Sequence, residues 1–72
     1  MTDTQALRDL ISSAGLKYKF IASSLGITPF GLQKKIENRS EFKASEITTL
    51  AKLLSMTDNQ LMSIFFQKKS DY

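Results

Sequence analysis

Cysteine and histidine are both absent from the chain, which removes the disulfide framework of small secreted domains and the usual ligands of a structural zinc site. Packing alone must hold the fold. Long apolar runs are absent too: the longest are triplets such as Phe20-Ile21-Ala22 and Ile64-Phe65-Phe66, far short of the roughly 20 residues of a membrane-spanning helix. The start, Met1-Thr2-Asp3-Thr4-Gln5, lacks the basic region and apolar stretch of a secretory signal, so the expected compartment is the cytoplasm. Glycine is scarce, and Gly15, Gly26 and Gly31 lie too far apart for a phosphate-cradling loop. The serines have no histidine to act as base and no Gly-x-Ser-x-Gly elbow. The carboxylates show no spacing that suggests a metal site, and Glu37 and Glu41 read as solvated surface. No enzyme activity, cofactor, metal or small-molecule substrate is expected.

What the chain does have is the composition of one small globular domain, with 42% apolar and 24% charged residues in a length of 72. A chain of this size buries only about 60% of the surface that it exposes when unfolded, so its core must be economical. The net charge of +3 is unevenly placed. From Lys17 to Lys43 there are six basic residues (Lys17, Lys19, Lys34, Lys35, Arg39, Lys43) against Glu37 and Glu41, an excess of +4, while the remainder of the chain sums to −1. Such a local positive field suits an anionic partner.

Five stretches carry helical periodicity. Ala6, Leu7, Leu10, Ile11 and Ala14 recur at helical spacing after Thr2-Asp3-Thr4-Gln5, where Thr2 and Gln5 have the spacing of a capping box, and Gly15 stands where a left-handed stop belongs. Leu16, Phe20, Ile21, Ala22 and Leu25 form a second pattern that Gly26 ends in the same way. Thr28-Pro29 starts a third helix, since a threonine oxygen can cap free amides and proline at the first helical position has no amide hydrogen to orphan. Leu32 and Ile36 are its inward residues, and Phe42 is expected to plug the following polar loop into the core. Ile47, Leu50, Ala51 and Leu54, followed by Met56, make a fourth, and Thr57-Asp58-Asn59-Gln60 caps a fifth through Leu61, Met62, Ile64 and Phe65. The expected helices are about 4–14, 17–25, 29–37, 44–55 and 58–66, in one domain over 1–66, with a frayed polar tail over 67–72. The fold class is all-α.

Between Gly15 and Asn38 two short helices meet at Leu25-Gly26-Ile27-Thr28. A tight corner needs a residue tolerant of positive φ and a small residue at the crossing, and Gly26 and Ala22 supply them. The run Leu16, Ile21-Ala22, Leu25-Gly26-Ile27-Thr28, Leu32 and Ile36 resembles the lambda-repressor/Cro helix-turn-helix family. The continuation through Lys35-Ile36, Phe42, Glu46-Ile47, Leu50, Leu54, Met56 and Ile64-Phe65-Phe66 is similar to small phage-type regulators of that family, so the resemblance covers nearly the whole chain. It implies a compact five-helix domain in the cytoplasm of a bacterial host and a dimer that binds operator double-stranded DNA in a lytic/lysogenic switch. Its third helix would enter the major groove and its second would lie across the phosphates. Carried over by position, Thr28, Pro29, Phe30, Gln33 and Lys34 would face base edges. Lys17, Tyr18, Lys19, Asn38 and Arg39 would face phosphates, together with the amides at the start of the second helix.

The residues of the reading face depart from that pattern. With Leu32 and Ile36 inward, the opposite face of the third helix is Phe30, Gly31, Lys34 and Glu37, of which only Lys34 donates to a base, while Glu37 would be repelled by phosphate. Phe30 and Phe20 instead have the character of aromatic anchors of a protein interface. The alternative to exposure is that both rings fold back onto the small core. A second function therefore stands beside DNA reading: a modulator or antirepressor that occludes a partner repressor through the same two helices. Ile64, Phe65 and Phe66 cannot all face inward on one helix, so Phe66 is the candidate for a dimer contact, with packing against the first helix as its alternative.

Overall fold

The computed structural model describes residues 1–66; the expected polar tail over 67–72 lies outside the described residues. The described chain is all-helical, a sequence of five helices without a strand: α1 (Thr4–Ala14), α2 (Tyr18–Leu25), α3 (Pro29–Ile36), α4 (Ala44–Leu53) and α5 (Asp58–Phe65). None is long and apolar enough to cross a membrane.

Helix ends follow the local chemistry, with one correction. Asp3, and not a Thr2/Gln5 capping box, starts α1: its carboxylate accepts from the Ala6 amide at 3.1 Å, and the Gln5 amide group donates to Asp9 instead. An acidic cap also places negative charge at the positive end of the helix dipole, which the threonine would not do. Gly15 and Gly26 close α1 and α2 at φ of 70° and 73°, and both adopt the left-handed region in which a side chain would be strained. The Thr28 hydroxyl accepts from the Gly31 amide at 3.0 Å with Pro29 as first helical residue, and Thr57 and Gln60 form the reciprocal box that starts α5. Helix α2 starts one residue later than expected, because Lys17 is its extended N-cap. Helices α3, α4 and α5 stop at Ile36, Leu53 and Phe65, short of the expected ends.

The core is built from one face of each helix. Leu7 and Ile11 of α1, Ile21 and Ala22 of α2, Leu32 and Ile36 of α3, Leu50 of α4 with Leu54 after it, and Ile64 and Phe65 of α5 are buried together. Phe42 caps this cluster from the α3–α4 loop, its ring edge-on to Phe65 with centroids 5.4 Å apart. Ala14 departs from the expected face and is exposed at the end of α1. Helix α2 packs on α3 and α4, and α1 packs on α3 and α5, so α3 is held from two sides.

Two polar ties fix the C-terminal end of α3. The start of the chain binds its C-terminal end: the Thr2 amide donates to Asn38 Oδ1 at 2.8 Å, Asn38 Nδ2 donates back to the Thr2 carbonyl at 2.8 Å, and the Thr4 hydroxyl donates to the Ile36 carbonyl. The second tie is a buried carboxylate. Glu46 accepts from the Lys43 amide at 2.8 Å, so that it also caps α4, and it receives the Lys35 ammonium from α3. Burial raises the Glu46 carboxyl, but the Lys35 hydrogen bond, the Lys43 amide and the charges of both lysines outweigh it and hold the group below its ordinary 4.5.

Candidate protein or nucleic-acid interface

The corner between α2 and α3 is Gly26-Ile27-Thr28. The Gly26 amide donates to the Ser23 carbonyl and the Ile27 amide to the Ala22 carbonyl at 3.0 Å, while the Ile27 side chain packs on the core. With Leu32 and Ile36 wholly buried, the opposite side of α3 is fixed toward solvent.

On that side the fold-back alternative does not occur. Phe30 is 66% exposed and Phe20, on α2, is 51% exposed, although each lies within two residues of a fully buried aliphatic. The core positions that they would fill are occupied by Leu32 from α3 and Ile21 and Ala22 from α2. Two cations stand against the Phe30 ring: Lys34 Nζ and the Arg39 guanidinium carbon each lie 5.8 Å from its centroid, within the range of a cation–π contact.

The other expected base-facing residues are less free than their positions imply. Thr28 is exposed, but its hydroxyl accepts the Gly31 amide as the cap of α3. Pro29 is exposed and has no amide hydrogen to offer, while Gln33 and Lys34 are half-buried. A side chain at Gly31 would meet the capping Thr28 oxygen at 3.2 Å, so the bare backbone here favours the cap.

The expected phosphate-facing residues divide. Lys17 and Lys19 are exposed at the start of α2, whose first amides receive no side-chain cap. Tyr18 between them is half-buried against the core and contributes packing. Asn38 is corrected: it sits at φ 64°, and its carboxamide is taken up by Thr2 and Thr4, so it does not reach outward. Arg39 is exposed and donates to Glu37 Oε1 at 2.7 Å, while Arg8 of α1 donates to Glu37 Oε2 at 3.0 Å. Glu37 is thus compensated by two guanidinium groups, which removes the repulsion expected of it. Arg8 did not stand out in the sequence, and Glu46 entered only as part of the family resemblance, because the ion-pair partners Glu37 and Lys35 lie in other segments of the chain.

Away from this surface, Phe66 follows α5 and is half-exposed, while Ile64 and Phe65 are buried, so the three neighbours divide as their spacing requires. Phe66 lines a groove of about 600 Å³ with Phe42, Ile47, Ala51, Met56 and Leu61. Among the described residues no cluster of acidic side chains is arranged to hold a metal ion.

No family model, curated protein or solved structure matches the chain.

Proposed function

We propose that the chain is a regulator of a phage-type genetic switch, acting in the cytoplasm of a bacterial host, that docks its α2–α3 surface on a partner repressor and keeps it from its operator. The exposure of Phe30 on the first turn of α3 carries this reading, since a large aromatic ring held out of a small core is what anchors protein interfaces. Exposed Phe20 on the adjoining helix adds to it. The chemistry of the first turn favours it over base readout, because Pro29, Phe30 and Gly31 present no polar side-chain atom to a base edge.

Mixing the purified chain with the repressor encoded beside it tests this reading by size-exclusion chromatography and titration. A complex is expected, and Phe30→Ala should weaken it by about 30-fold, as truncation of a hot-spot aromatic does. The absence of a complex would refute the reading.

A second reading is favoured by exposed Lys17 and Lys19 beside the uncapped amides of α2: a Cro-like dimer that binds operator double-stranded DNA through α2 and α3, with Phe66 as dimer contact. It predicts sequence-selective binding in a gel shift that falls steeply with salt and is lowered by Lys34→Ala. Failure to bind any operator duplex at low salt would remove it.

A further inference from the structure

The residues around Phe30 form a connected cluster whose charge does not cancel. Arg8 and Arg39 share the single carboxylate of Glu37, and Arg39 and Lys34 both stand over the Phe30 ring. Lys34 has no carboxylate partner among the described residues. Three cations against one anion leave an exposed apolar ring with positive charge standing over it.

The charge decides what such a ring can enter. When Phe30 inserts into a pocket, Lys34 and Arg39 are carried to the rim of that pocket and lose part of their water. A charge that loses water without gaining an anion opposes binding, whereas a carboxylate placed to receive it supports binding and steers the encounter. A phosphate-facing surface of a DNA-binding protein is itself basic, so this cluster does not suit the face with which a repressor grips DNA. Imitation of DNA is excluded by the same sign, because a mimic of the phosphate backbone would carry acidic groups here.

We infer that the partner face is an apolar pocket for Phe30 rimmed by carboxylates, one set against Lys34 and one against Arg39. This inference rests on the docking reading above and specifies the chemistry of the face that is docked upon.

Titration calorimetry of the chain against the purified repressor encoded beside it, at salt from about 0.05 to about 0.5 M, provides the test, since screening shortens across that range. The complex is expected to weaken by about tenfold with salt, and Lys34→Glu and Arg39→Glu each by about tenfold at the low end but little at the high end. Lys34→Arg should retain binding, and thermal melts should show all variants folded, because neither substituted side chain belongs to the core. If the complex forms and Phe30→Ala weakens it, but salt and both charge reversals leave it unchanged, the acidic rim is overturned while docking stands. If no complex forms, docking and rim fall together. If the chain then binds an operator duplex that Lys34→Glu abolishes, the cluster serves phosphates.

Discussion

Lys34 and Lys35 are neighbours on α3 and have opposite surroundings. Lys35 turns inward to a buried carboxylate on α4, while Lys34 lies half-buried against an exposed phenyl ring. The same contrast divides the whole helix. Its inner side, Leu32, Lys35 and Ile36, joins it to the fold, and its outer side, Phe30, Lys34 and the following Glu37 and Arg39, joins it only to itself and to Arg8. One side specifies where the helix is, so the other is free to specify what it meets.

That division can be broken first at the core. Leu32→Ala should destabilise the fold by about 3 kcal/mol in urea denaturation, through lost burial and the cavity left behind, whereas Phe30→Ala should change it by less than about 0.5 kcal/mol. Comparable losses at the two positions would show that Phe30 belongs to the core after all.

A somewhat smaller effect should separate the two lysines. Lys35→Met strands Glu46 without its cation and should cost about 2–3 kcal/mol, while Lys34→Met should have little effect. The same tie predicts a pH dependence. Because the Glu46 carboxyl titrates lower in the folded than in the unfolded chain, the stability it contributes is full above 4.5 and is lost as pH falls through its lowered value. Denaturation midpoints followed from neutral to acid pH should show this loss, and Glu46→Gln should diminish it. An acid profile unchanged by that substitution would assign the loss to other carboxylates.

The smallest effect expected is at the end of α3. Asn38→Gly keeps the left-handed backbone and removes only the bonds to Thr2 and Thr4, for a loss of about 1 kcal/mol. Asn38→Ala should cost more than Asn38→Gly, since it adds strain at φ 64°. Equal losses would mean that the amide bonds alone matter.

Much of the fold was legible because its signals are local. Gly15, Gly26, Thr28-Pro29 and Thr57-Gln60 mark helix ends through groups within four residues of each other, and the apolar spacing marks the inner faces. The ties that complete it were not legible. Asn38 and Thr2 are 36 residues apart and Lys35 and Glu46 are 11 apart, and nothing in either segment announces the other. The candidate surface was legible only as a choice. Spacing placed Phe30 on the outward side of its helix and Phe20 within an apolar pattern, but whether a ring folds back depends on the space left by Ile21, Ala22 and Leu32, which is a property of the packed core.

The bond between Thr2 and Asn38 also has a practical consequence. It brings the beginning of the chain to the α3–α4 loop, where Met1 and Thr2 line a pocket with Ser40, Phe42 and Phe66. A small fluorophore placed ahead of Thr2 would therefore report on that loop and on the Phe66 side of the molecule. A bulky affinity tag at the same position would burden the Phe66 side, so an assay of that face is better made with the tag removed.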